Sequence, residues 1–168
     1  MPSERQIDVG GVLIGGGAPV AVQTMTKTET ANLDATMEQI RRVAEAGADI
    51  VRCAVPREQD VEALKVIVRE SPIPVIADIH FNHTLALKSL DAGAHCVRLN
   101  PGNIGGPDKV AEVIAKAKQL GTPIRVGVNS GSLPRHLREL EFTDPVEALV
   151  TAAVETVELM EGLDFDNF

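Results

Sequence analysis

The stretch Cys96-Val97-Arg98-Leu99-Asn100-Pro101-Gly102-Asn103-Ile104-Gly105-Gly106-Pro107 reads as a strand, a turn and a helix start in immediate succession. Cys96 to Leu99 is a short apolar strand and Gly102 to Gly106 a tight polar turn. Pro107 is preset for a first helical position, and the free N–H groups of that helix point back toward the turn, which makes it an anion site. A strand covered by helices has no solvated side, so Arg98 within it needs a partner. Asn100, two residues on, shares its face. An arginine paired with a core carboxylate and an arginine facing an anionic ligand are both compatible with Arg98 taken alone.

The same unit recurs upstream. Ala46-Gly47-Ala48-Asp49-Ile50-Val51-Arg52 matches Ala92-Gly93-Ala94-His95-Cys96-Val97-Arg98, and Ile73-Pro74-Val75 resembles Pro123-Ile124-Arg125-Val126 at nearly the same shift. A repeat of two βα units is what a TIM (β/α)8 barrel leaves in sequence. Ala-Gly-Ala is also simply a good helix stop, so the repeat alone does not exclude an open doubly wound sheet. Against that alternative, no GxGxxG or GxxxxGK[ST] fingerprint follows the first strand.

Between and around these repeats the chain divides into about five βα units. A small hairpin, Ile7 to Ile14 around Gly10-Gly11, precedes core strands at Val20 to Met25, Asp49 to Val55, Pro74 to Ile79, Cys96 to Leu99 and Ile124 to Val128. Helices are expected from Asn32 or Asp34 to Ala46, Arg57 to Glu70, Thr84 to Asp91, Pro107 to Leu120 and, after a loop from Asn129 to Glu141, Thr143 to about Glu161. Phe165 to Phe168 stands where another strand would begin. The fold class is therefore α/β, the N-terminal part of a TIM barrel with an N-terminal β-hairpin.

Composition narrows the function. In 168 residues, 44% are apolar but only 2% aromatic, so the core is aliphatic, as for a sheet under helices. The net charge of −8 argues against nucleic acid or an anionic membrane as partner, so any anion site is local. Cys53 and Cys96 sit in apolar strands without CxxC spacing, which suggests buried thiols in a reducing compartment. No apolar leader and no run of about 18 apolar residues is present, and a cytoplasmic location is expected.

Polar residues recur near the C-terminal strand ends: Thr24 and Thr26, Arg52, Asp78 and His80, Arg98 and Asn100, Arg125 and Asn129. In a barrel that end is the catalytic face. Three arginines in one cavity repel and are costly to desolvate, so they imply a multiply charged anion, for which bidentate guanidinium contacts suit phosphate or diphosphate. His80 beside Asp78 fits an oriented acid/base group and equally a histidine that holds a loop. Asp78-Ile79-His80 has no third ligand at metal-binding spacing, and with Lys27 in a loop no lysine stands at a strand end for Schiff-base chemistry.

Four motifs, Val22-Gln23-Thr24-Met25-Thr26, Ala77-Asp78-Ile79-His80-Phe81, Arg98-Leu99-Asn100-Pro101-Gly102-Asn103-Ile104-Gly105 and Arg125-Val126-Gly127-Val128-Asn129-Ser130-Gly131-Ser132-Leu133, closely resemble the 4-hydroxy-3-methylbut-2-enyl diphosphate synthase family over essentially the whole chain. The resemblance implies an iron–sulfur oxidoreductase of non-mevalonate isoprenoid biosynthesis. Its reaction is the reductive ring opening and dehydration of 2-C-methyl-D-erythritol 2,4-cyclodiphosphate. It further implies a [4Fe-4S] cluster, flavodoxin or ferredoxin as electron donor, a homodimer at full length, and binding of the cyclic diphosphate by Arg52, Asp78, His80, Arg98, Asn100, Arg125 and Asn129. Family members continue into further barrel strands and an iron–sulfur domain that supplies the cluster ligands. The expectation is thus that residues 1–168 form part of the substrate-binding barrel, without the cluster ligands and inactive alone. A pterin-binding barrel enzyme resembling dihydropteroate synthase and a non-catalytic diphosphate-binding module are the rival classes.

Overall fold

A computed structural model describes residues 3–130 and 133–168. The Gly131-Ser132 part of the fourth motif lies outside the described residues. Five parallel strands stand in sequence order, β3 (Gln23–Met25), β4 (Ile50–Ala54), β5 (Val75–Ile79), β6 (Cys96–Leu99) and β7 (Ile124–Val126). They are joined by α1 (Leu33–Glu45), α2 (Glu58–Glu70), α3 (His83–Asp91) and α5 (Pro107–Leu120), with the one-turn α4 (Pro101–Ile104) inserted after β6. Parallel neighbours joined through helices in sequence order are barrel units. The antiparallel hairpin of β1 (Gln6–Val9) and β2 (Val12–Gly15) precedes them, and α6 (Arg138–Thr143) and α7 (Pro145–Gly162) follow.

The repeat is structural as well as textual. Gly47 and Gly93 both take positive φ, 94° and 85°. The Gly47 N–H donates to Ala44 at 2.9 Å and Ala48 to Val43 at 3.0 Å, and Gly93 donates to Leu90 at 3.0 Å and Ala94 to Ser89 at 3.1 Å. Each Ala-Gly-Ala is thus the same Schellman-type close, which satisfies the last helix carbonyls and delivers the chain into the next strand.

Alternation along the strands divides two apolar layers. Val51, Cys53, Val55, Val75, Ala77, Ile79, Val97, Leu99 and Ile124 face the helices and form the main core with Ile40, Leu64, Ile67, Val113 and Ile114. Ile50, Ile76 and Cys96 face the other way and are covered by Val9, Ile7 and Val12 of the hairpin. The hairpin therefore plugs the N-terminal end of the strands, and residues two further along, Arg52, Asp78 and Arg98, open above that plug.

The observed boundaries differ from expectation in four places. Val20 is 93% exposed and Val22 54%, so the first core strand starts only at Gln23. Before it, the Asp49 carboxylate accepts from the Val22 N–H at 2.7 Å. The Asn100 carbonyl accepts from Asn103 at 2.9 Å and Ile104 at 3.2 Å, which turns part of the expected Gly102 to Gly106 turn into α4. β7 ends at Val126, and the loop after it contains a 3-10 turn (Arg135–Leu137) and α6. Phe165 to Phe168 forms no strand, although the Ile124 N–H donates to the Asn167 carbonyl at 3.0 Å, beside β7.

His95 links the plug to the sheet. Its Nδ1 accepts from the Val75 N–H at 3.1 Å, and Gly10 of the hairpin turn lies against its ring, where a Cβ would come within 2.5 Å of Cδ2. Burial lowers its pKa below the ordinary 6.5, so the folded protein holds the ring neutral. As pH falls below 6.5 the unfolded chain binds the proton first, and stability declines. We expect the urea midpoint to fall between pH 7.5 and pH 5, and His95→Asn, which keeps an acceptor but does not titrate, to reduce that fall. An identical fall in the variant would assign it to other groups.

Candidate functional site

In-register pairing assembles the site. Met25 stands opposite Arg52, and Asp78, Arg98 and Arg125 align across β5, β6 and β7. Register partners in a parallel sheet share a face, so one carboxylate and three guanidinium groups come together. They line a cavity of about 320 Å³ with Met25, His80, Gly127, Val128 and Asn129 at the C-terminal strand ends.

Asp78 is its centre, with only 1% of its surface exposed. Oδ1 accepts from Arg98 Nη1 at 3.2 Å, and Oδ2 lies 2.9 Å from Arg52 Nε. The second contact is close enough for an ion pair but not aligned as a hydrogen bond, so Arg52 Nε–H is left buried and unsatisfied. Arg52 Nη2 reaches Met25 Sδ at 3.3 Å. His80 Nε2 is 3.5 Å from Asp78 Oδ1, with its side chain 42% exposed at the mouth. With its amide oxygen turned inward, Asn129 accepts from Arg98 Nη2 at 2.8 Å.

Arg125 meets the carboxamide oxygen of Gln23, so the first and last strands of the sheet touch across the cavity. Partial burial lowers the Arg125 pKa from the usual guanidinium value, and repulsion from Arg52 and Arg98 adds to the effect. Three cations against one carboxylate leave an excess of two positive charges in a partly desolvated space. Such an arrangement can accept an anion of matching charge.

Of the expected site residues, Arg52, Asp78, His80, Arg98, Arg125 and Asn129 are brought together. Asn100 is buried at the end of β6, directly beyond them, and caps α4 through its carbonyl. Thr24 and Thr26 are not in the cavity. Because Met25 points inward with Arg52, its neighbours point toward the helices, and the Thr26 hydroxyl lies beside the Arg52 carbonyl at 3.5 Å and the Cys53 thiol. The inward residues of β3 are Gln23 and Met25, which sequence reading passed over; the signal was their alternation with Thr24 once Arg52 fixes the neighbouring face.

The cysteines do not fit an iron–sulfur cluster. Cys53 faces the helices and Cys96 the hairpin, on opposite sides of the sheet, and both are buried. Among the described residues, no group of three or more His, Cys, Asp or Glu side chains is arranged to hold a metal. No helix there is long and apolar enough to cross a membrane.

A barrel segment with a cationic cavity at its C-terminal strand ends is the class that fold and site define. The chain belongs to the GcpE TIM-barrel domain family, which matches residues 4–168. It is 49% identical over 164 residues to the 4-hydroxy-3-methylbut-2-en-1-yl diphosphate synthase (flavodoxin) of Cellvibrio japonicus, covering 98% of this chain and 44% of that protein. To the Aquifex aeolicus protein of the same name it is 50% identical over 164 residues, with 98% and 46% covered. The chain thus spans less than half the length of these curated relatives. Among solved structures, a Yersinia pestis dihydropteroate synthase superposes with a TM-score of 0.57 at 17% identity, covering 90% of this chain and 59% of that one, a likeness of fold.

Burial raises the Cys53 pKa from 9.0 to about 11 and the Cys96 pKa to about 12, so both stay protonated at pH 8. The thiolate is the reactive form. An aromatic disulfide reagent at pH 8 is therefore expected to label neither in the native protein while labelling both in urea. Rapid native labelling at either position would contradict this packing.

Proposed function

We propose that this chain is the substrate-binding barrel segment of a 4-hydroxy-3-methylbut-2-enyl diphosphate synthase and that its cavity holds 2-C-methyl-D-erythritol 2,4-cyclodiphosphate. The observation that carries the reading is the excess of two positive charges around Asp78. In a cyclic diphosphate both phosphorus atoms are esterified, so each keeps one ionised oxygen and the ligand is a dianion. That charge matches the excess.

In this reading Arg98 and Arg125 grip the phosphate oxygens, and Arg52, held 2.9 Å from Asp78 Oδ2, adds its charge to the same wall. Asp78 fixes Arg52 and Arg98 before the ligand arrives, so little reorganisation is needed on binding. His80 at the mouth is placed to hand a proton to an oxygen released from the ring. Asn129 holds the far side of Arg98.

The reductive ring opening and dehydration need electrons, which the [4Fe-4S] cluster and the flavodoxin or ferredoxin partner of the family supply. Neither cysteine of this chain serves as a ligand, so in this reading cluster, donor contact and homodimer surface belong to sequence that the longer relatives possess. The diphosphate-binding barrel is this chain's share of the work.

Arg98→Met is expected to weaken binding of the cyclic diphosphate by roughly 1.5–3 kcal/mol, the range for a hydrogen bond to a charged group. Calorimetric titration of the 168-residue protein measures it. Unchanged dissociation constants for both Arg98→Met and Arg125→Met would remove the ligand from this cavity.

A further inference from the structure

Gly127 follows the last residue of β7, and its peptide N–H donates to the Leu99 carbonyl at 2.8 Å, which any residue but proline could do. Its φ lies outside the left-handed region, unlike that of most glycines here. The backbone therefore supplies no reason for glycine at this position. The reason lies on the cavity side. A Cβ on Gly127 would fall onto Nε, Cζ and Nη2 of Arg98, so the guanidinium occupies the volume where a side chain would begin.

Arg98 cannot yield freely. Nη1 is tied to Asp78 Oδ1 at 3.2 Å, and Nη2, one of the atoms against Gly127, to the Asn129 oxygen at 2.8 Å. The long side chain can swing aside and spare the fold, but only by releasing those two partners and moving its charge within the cavity. We propose that Gly127 is a positioning residue: its missing side chain seats the Arg98 guanidinium between Asp78 and Asn129 at the depth that anion binding requires. The link to the cyclic diphosphate rests on the function proposed above, whereas the seating of Arg98 does not.

The test has a readout that needs no ligand and one that does. In Gly127→Ala the side-chain Nε–H resonance of Arg98, identified by its loss in Arg98→Lys, is expected to shift toward that of a solvated arginine, with the thermal midpoint little changed. An unmoved resonance overturns the proposal. For binding, titrations with the cyclic diphosphate and with inorganic pyrophosphate compare Gly127→Ala in the native background and in Arg98→Ala, with Arg98→Ser as a second background should that variant fail to fold. The expected result is a loss of roughly tenfold or more in the native background, the scale of one misplaced charged hydrogen bond, and less than about twofold where the guanidinium is gone. Equal losses in both backgrounds mean that Gly127 acts on the backbone, and overturn the proposal. If the native protein binds neither ligand, the proposed function fails, and the Arg98 resonance still decides the role of Gly127.

Discussion

A carboxylate with 1% of its surface exposed, set among three guanidinium groups, is the constraint from which the rest of the molecule follows. Asp78 without Arg52 and Arg98 would be a bare charge in an apolar barrel, and the arginines without Asp78 would repel one another out of the cavity. Each is tolerable only because the strand register sets Asp78 beside Arg98 while the alternation along β4 turns Arg52 to the same face. The helices, the Schellman closes and the hairpin plug serve that register: they set where each strand begins, and hence which residue stands beside which.

The site also shapes the sheet. Arg125 of β7 meets Gln23 of β3, so the outermost strands are joined through side chains across the cavity. Below them, the hairpin residues Ile7, Val9 and Ile14 and the terminal Phe168 line an apolar space with Ile76, Cys96 and Ile124. The charged layer thus sits above an apolar one, with Gln23 and Arg125 at the boundary between them.

Much of this was legible in the sequence because charges in apolar strands are conspicuous. Arg52, Asp78, Arg98 and Arg125 interrupt runs of Val, Ile and Leu, and the Ala-Gly-Ala repeat places Arg52 and Arg98 at equivalent positions of their units. β3 has no such charge, so the sequence alone does not tell its inward face from its outward one, and it is Met25, not Thr24 or Thr26, that lines the cavity. Val20 and Val22 read as strand because apolar runs do, yet nothing packs on Val20 in the fold. α4 spans four residues including Gly102, and α6 has no buried residue, so neither leaves an apolar period to read. The role of Gly127 was beyond sequence reasoning, since it depends on where a side chain 29 positions earlier comes to rest.

The central claim is that the cavity around Asp78 is a preformed seat for a dianionic cyclic diphosphate. The most direct measurement is a crystal structure of the protein soaked with 2-C-methyl-D-erythritol 2,4-cyclodiphosphate. The account predicts phosphate oxygens within hydrogen-bond distance of Arg98 and Arg125, with the contacts of Asp78 to Arg52 and Arg98 unbroken. Density for the ligand elsewhere, or an occupied cavity in which Asp78 has lost its arginines, would contradict it.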